Sequence, residues 1–123
     1  MSAGMQKVVL DTNALLMPFE FSLNIDLELK RLLGQCDVYV PGPVIGELRR
    51  SRNRHSKAAL ALARKYKIFE TQLQGDNGVI DAGIKLNAFV VTNDIILRGK
   101  LRKRGIKVIF LRSGNHLAFD GDY

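Results

Sequence analysis

Apolar and polar positions change period along this chain, and the changes mark out its elements. "KVVL" (Lys7–Leu10) is a short β-branched apolar run that predicts a buried strand. Ile25–Leu33 reads as a helix, with Asn24 at the N-cap and Asp26 and Glu28 in the first turn. Lys30 and Arg31 occupy its last turn and Gly34 its stop position. "DVYVP" (Asp37–Pro41) predicts a second strand stopped by proline, and Pro43 suits the first turn of the helix "PVIGELRR". Ser56 is placed to cap "KAALALARKY", whose alanines and leucines favour a closely packed helix. "KIFET" (Lys67–Thr71) predicts a third strand, followed by the loop "QLQGDN" and a helix from about Asn77 to Leu86. "AFVVT" predicts a fourth strand, a helix over Ile95–Arg104 ends at Gly105, and "KVIFLR" predicts a fifth strand.

Strands separated by helices imply an α/β fold, here a five-stranded parallel sheet with helices on both faces. With no repeat or linker, residues 1–123 are expected to form one domain. The tail "SGNHLAFDGDY" either covers an edge of the sheet or lies loose from about residue 114.

Composition adds a partner class. Nearly half the residues are apolar, which argues against disorder, and the net charge of +7 favours an anionic partner such as nucleic acid. Cys36 is the single cysteine, which excludes an intrachain disulfide framework or a thiolate metal cluster and fits a reducing cytoplasm. The apolar run near the start is too short for the core of a signal peptide, and no run approaches a membrane span.

The acids carry the candidate chemistry. Asp11 directly follows the first strand and Asp94 lies two residues beyond the fourth. In an open α/β sheet, ligands bind outside the carboxyl ends of the strands, so both belong at one edge. Glu47, about one turn beyond Pro43, and Asp76, before the helix after the third strand, belong at the same edge. Four carboxylates brought together repel unless a divalent cation relieves them, and oxygen ligands point to Mg²⁺ or Mn²⁺. The competing reading is structural. Asp11 and Asp94 each precede a segment able to form a helix, and aspartate is a common N-cap.

"VVLDTNALL", "VIGELRR", the Asp76 helix and "VVTND" together resemble, in order, the four acidic motifs of PIN-domain nucleases. The resemblance covers nearly the whole chain. "LRGKLRKRGIKVIFLR" after the last acid is similar to the short archaeal-type members, of rRNA-processing or toxin kind. It implies metal-dependent phosphodiester hydrolysis, usually of RNA, with Asp11, Glu47, Asp76 and Asp94 as the acidic quartet. Where members often show an acidic pair, this chain has Asp76–Asn77, so Asp81 is the rival third acid. Asp81 is rotated from the inward face and stands four residues before Lys85, an ion-pair spacing, so it is expected beside the site or in solvent. Thr12, Asn13 and Thr92 are expected to steady the carboxylates or a bound water, and Asn93 to serve as a turn residue.

Two basic blocks follow the acids. Arg49, Arg50, Arg52, Arg54 and Lys57 come after Glu47; Arg98, Lys100 and Arg102 come after Asp94. Surface helices ordinarily mix signs, and acid-free basic segments beside an acidic pocket suit an RNA backbone. Phe19 and Phe21, in the loop after Asp11, are placed to stack on a base or to join the core. His55 and His116 are expected at the surface. A homodimer is compatible with the need for a groove long enough for RNA, and antitoxin or ribosome-precursor association with the two kinds of member.

Three rivals stand beside a hydrolase. A non-catalytic RNA-binding assembly module would need the arginines and not Asp11. A dehalogenase-like phosphotransferase wants an aspartate where Asn13 stands, and a receiver domain wants adjacent acids before its first helix.

Overall fold

A computed structural model describes residues 5–121; residues 1–4 and the last two of the tail lie outside the described residues. Six strands form one sheet: β1 (Gln6–Leu10), β2 (Cys36–Pro41), β3 (Lys67–Phe69), β4 (Phe89–Val91), β5 (Val108–Arg112) and β6 (His116–Phe119). Their order is β3-β2-β1-β4-β5-β6, with β1 to β5 parallel and β6 antiparallel to β5. Six helices connect or flank them: α1 (Thr12–Glu20), α2 (Ile25–Leu33), α3 (Gly42–Arg50), α4 (Ser56–Ala63), α5 (Gly75–Leu86) and α6 (Ile95–Lys103).

Val8, Val9 and Leu10 are all fully buried, and successive strand residues point to opposite faces. Both faces of the central strand are therefore covered, as a parallel sheet requires. Each such side chain contributes roughly 1.5–3 kcal/mol of burial.

The α2 boundaries fall where the sequence places them. Asn24 Oδ1 accepts from Leu27 N–H at 3.0 Å, and Gly34 ends the helix at φ +73°. The segment after Asp11 is helix rather than loop, although Pro18 lies inside it. Phe19 is thus a half-buried helix residue, and Phe21 is the exposed C-cap. Ser56 is the first residue of α4 and not its cap; Asn53 accepts from the backbone of His55 and Ser56 just before it. An Asx turn two residues upstream has taken over the cap's work.

The tail supplies the sixth strand. Ser113 and Gly114 both have positive φ, the backbone bend of a tight hairpin, and β6 closes the β5 edge. The outer side of β6 is covered in turn. Leu117 N–H donates to Glu28 Oε1 at 2.8 Å, and Arg31 donates to the Leu117 carbonyl at 2.6 Å. Among the described residues no helix is long and apolar enough to cross a membrane.

Candidate active site

The chain runs from β1 to β2 and β3 on one side, then to β4 on the other. The strand order therefore reverses between β1 and β4, and the crevice beyond their carboxyl ends is where such sheets bind ligands. A cleft of about 290 Å³ lies there, lined by Asp11, Thr12, Asn13, Glu47, Asp76 and Asp94 with apolar neighbours. The four acids come from four strand–helix connections.

Asp11 and Asp94 are N-caps as well as cleft residues. Asp11 Oδ1 accepts from Ala14 N–H at 2.7 Å, and Asp94 Oδ1 from Leu97 N–H at 3.0 Å. Capping engages one oxygen of each and so fixes the carboxylates at the cleft. Asp11 is buried whereas Asp94 is exposed. Burial pushes the Asp11 carboxyl up to about 7, hydrogen bonds from Thr92 and Ala14 hold it down, and the charges of Asp94 and Asp76 raise it further. This carboxylate is under electrostatic stress that positive charge would relieve.

Thr92 is fully buried and serves both acids: its hydroxyl interacts with Asp11 and accepts from Asp94 N–H at 3.1 Å. Asn13 Oδ1 accepts from Asn93 N–H at 2.9 Å, tying α1 to the loop after β4. Asn93 is more than a turn residue, because its amide bonds both backbone groups of Leu111 on β5, at 2.6 and 3.3 Å. The signal for this was present: the same three residue types occur as Asp11-Thr12-Asn13 and Thr92-Asn93-Asp94.

Asp76 lies in the first turn of α5, which starts at Gly75 rather than near Asn77. Gly75 has φ +56°, and a Cβ on Gly78 would come within 2.5 Å of the Leu73 carbonyl oxygen. Gly75 supplies the left-handed backbone that opens α5 and Gly78 the close approach to Leu73, and between them Asp76 is seated in the cleft lining. Lys100 of α6 pairs with Asp76 at 3.2 Å, an ion pair the sequence did not announce. Asp81 does not line the cleft. It makes with Lys85, at 3.3 Å, the ion pair that the four-residue spacing predicts, and accepts from Thr71 Oγ1 at 2.8 Å, which anchors the loop before α5.

The donors in the lining are hard oxygens, and the buried Thr12 hydroxyl has no hydrogen-bond partner. Chemically this fits Mg²⁺ or Mn²⁺. Among the described residues no three acidic, histidine or cysteine groups stand close enough to grip one ion in this arrangement, and Asp76 is held by Lys100.

The basic residues do not follow the acids into one surface. Arg49 stands two residues beyond Glu47, about 200° round the helix, and lines a different groove with Ile45 and Leu60. It is therefore not part of the cleft's own lining. Arg50 lies back over its own helix, where a Cβ on Gly46 would sit 3.1 Å from its Nη1. Arg52, Arg54 and Lys57 are exposed and without an ion pair among the described residues. Arg98 and Arg102 both pair with Asp120, at 3.3 and 2.9 Å, and Arg98 stacks 4.3 Å from the Phe110 ring centre. These two brace the tail rather than offer free charge. His55 stacks on Phe19 at 6.3 Å, and His116 meets Asn115 at 2.6 Å; neither lines the cleft.

Comparison with known proteins agrees with this geometry. A family model described as a PIN like domain matches residues 8–114. Ribonuclease VapC4 of Methanocaldococcus jannaschii is 31% identical over 129 aligned residues, covering 95% of this chain and 98% of that protein. Ribonuclease VapC9 of Archaeoglobus fulgidus is 35% identical over 57 residues, 46% of this chain and 42% of that protein. The solved structure of the PIN domain endonuclease Utp24 superposes with a TM-score of 0.81 at 19% identity, over 93% of this chain and 90% of that one. At that identity the likeness speaks for the fold alone. With its matched model and a relative aligned along nearly its whole length, the chain belongs to the PIN-like domain family.

Proposed function

We propose that this chain is a divalent-metal-dependent endoribonuclease that hydrolyses RNA phosphodiester bonds at the four-carboxylate cleft. The observation that carries the reading is the convergence of Asp11, Glu47, Asp76 and Asp94 on one crevice at the sheet's reversal point. Two relatives named as ribonucleases support RNA as the substrate class.

Mg²⁺ or Mn²⁺ would be held by Asp11 as shared ligand, with Asp94 and Asp76 completing the set and Glu47 binding the ion or its water. When bound, such ions ease deprotonation of the attacking water and neutralise charge on the departing oxygen. Ala14 and Thr92 keep Asp11 oriented, and Thr92 couples it to the Asp94 backbone. Lys100, now paired with Asp76, would meet a phosphate if a cation took its place there.

The test is labelled RNA incubated with Mg²⁺ or Mn²⁺ and wild type, Asp11→Asn or Asp94→Asn. Ion-dependent cutting by wild type alone is expected; chelator-resistant cutting, or variants as active as wild type, removes the mechanism. The Asp76–Lys100 pair, which already neutralises one acid, favours a second reading as a non-catalytic RNA-binding assembly module. That module would bind RNA equally as wild type and Asp11→Asn, and cut with neither.

Two roles fit a ribonuclease of this size: toxin of a toxin–antitoxin pair, or RNA processing. Growth arrest on expression supports the first, copurification with ribosome precursors the second. A homodimer would lengthen the groove available to RNA.

A further inference from the structure

The two edges of the sheet are finished differently. On β6, Glu28 and Arg31 of α2 bond the outward backbone of Leu117. The opposite edge strand, β3, pairs with β2 on one side; among the described residues nothing hydrogen-bonds its other side. An uncovered edge is a template for an added strand.

Beside that edge lies a groove of about 450 Å³ between α3 and α4. Its lining is mainly apolar: Ile45, Leu60, Ala63, the Tyr66 ring and Ile68. Ile68 of β3 is 45% exposed and extends this apolar lining to the edge strand. Tyr66 donates its hydroxyl to Asp26 at 2.7 Å, which fixes the ring as one wall. Arg49 and Arg64 stand in the same lining, both exposed, and neither pairs with a carboxylate among the described residues. The basic side chains near α4 are not all so placed, since Lys65 is engaged by Asp26 at 2.6 Å.

We propose that this groove docks an extended acidic–aliphatic segment of a partner protein, which runs along β3, seats an aliphatic side chain beside Ile68 and places carboxylates on Arg49 and Arg64. Main-chain bonds to the free edge supply affinity, and the alternating side chains supply selectivity. The charge fits an acidic partner, and four aliphatic side chains against the one Tyr66 ring favour a peptide over RNA, which would call for successive stacking surfaces and a phosphate track. This inference stands apart from the acid cleft and does not rest on the nuclease reading.

The probe is a fluorescein-labelled eight-residue peptide of alternating glutamate and leucine, titrated into the full chain by fluorescence polarisation and by amide NMR. Saturable binding is expected, with shifts concentrated at Ile45, Arg49, Leu60, Ala63 and Ile68. Arg49→Glu and Arg64→Glu should each weaken it tenfold or more, and Ile68→Ser at least threefold. Lys103→Glu, an exposed site with the same change in net charge, should alter it by less than twofold. Equal loss in Lys103→Glu reduces the binding to bulk charge and overturns the proposal. So do absence of binding, tighter binding of an eight-nucleotide RNA at these same amides, or their shift on concentrating the protein alone, which would assign the face to a second copy. If the peptide binds and RNA cleavage fails, only the nuclease reading falls.

Discussion

The acids and the bases of this protein behave in opposite ways on folding. The four carboxylates are scattered from Asp11 to Asp94 and meet in one cleft. The arginines and lysines run together in sequence, yet Arg49 faces one groove, Arg98 and Arg102 brace Asp120, and Lys100 turns to Asp76. The difference comes from position in the fold. A residue just after a parallel strand, like Asp11 or Asp94, or in the opening turns of the helix that follows, like Glu47 or Asp76, is carried to the sheet's carboxyl edge whichever strand it follows. A residue on a helix turns 100° with each step, so neighbours in a basic run point to different surfaces.

The comparison breaks most sharply at Asp11. Asp11→Asn and Asp94→Asn should lower metal-dependent cleavage about a thousandfold, some 4 kcal/mol of transition-state stabilisation; a loss under tenfold in a gel assay would detach these acids from the chemistry.

The same substitution should act oppositely on stability. Folded Asp11 keeps its proton up to about pH 7, against 3.8 for the ordinary carboxyl. Its favourable contribution is complete below the lower value and lost as pH rises through the upper one. Asn caps a helix as well as Asp, so Asp11→Asn should stabilise the fold at pH 8 by roughly 2–4 kcal/mol, and hardly at all below about pH 4. Urea unfolding at both values checks this, and equal stability at pH 8 would mean the carboxyl is unstrained.

Two glycines sharpen the contrast between acid and basic helices. Gly78 on α5 is pressed against the Leu73 carbonyl, whereas a Cβ on Gly99 of α6 meets nothing within 4 Å. Gly78→Ala should cost about 1–3 kcal/mol and shift the Asp76 turn. Gly99→Ala should gain about 0.5–1 kcal/mol. Thermal melts that rank the two in the reverse order would show that α5 is not wedged in place.

The smallest effects concern charge. Loss of Arg52 and Arg54 together should weaken RNA binding about tenfold at low salt and flatten its salt dependence by one to two phosphate contacts. Loss of Arg98 and Arg102 should change affinity only about twofold, since Asp120 already holds them. Filter binding across a salt series tells the pairs apart, and equal losses would restore a continuous basic track.

Much of this was legible beforehand. The α2 helix was written in Asn24, its charge order and Gly34, all signals within a few residues. The quartet was legible because strand ends are local and the parallel sheet follows from their alternation with helices. Less legible were α1, whose Pro18 masks a helix; β6, whose strand needs the hairpin at Ser113–Gly114; and the part played by Asn93. Arg98 and Arg102 are not the free cations that their place in a basic run suggests: charge adjacency in sequence says nothing about the far carboxylate that neutralises it, as Asp120 does for both.

The sequence by itself determined five of the strands, the helices other than α1, and which edge of the sheet carries the acids, since these depend on neighbours along the chain. Only the tertiary structure decided which partner each charge takes, and that Asp11 is the acid buried from water. Those depend on residues brought close by packing, and no local pattern encodes that distance.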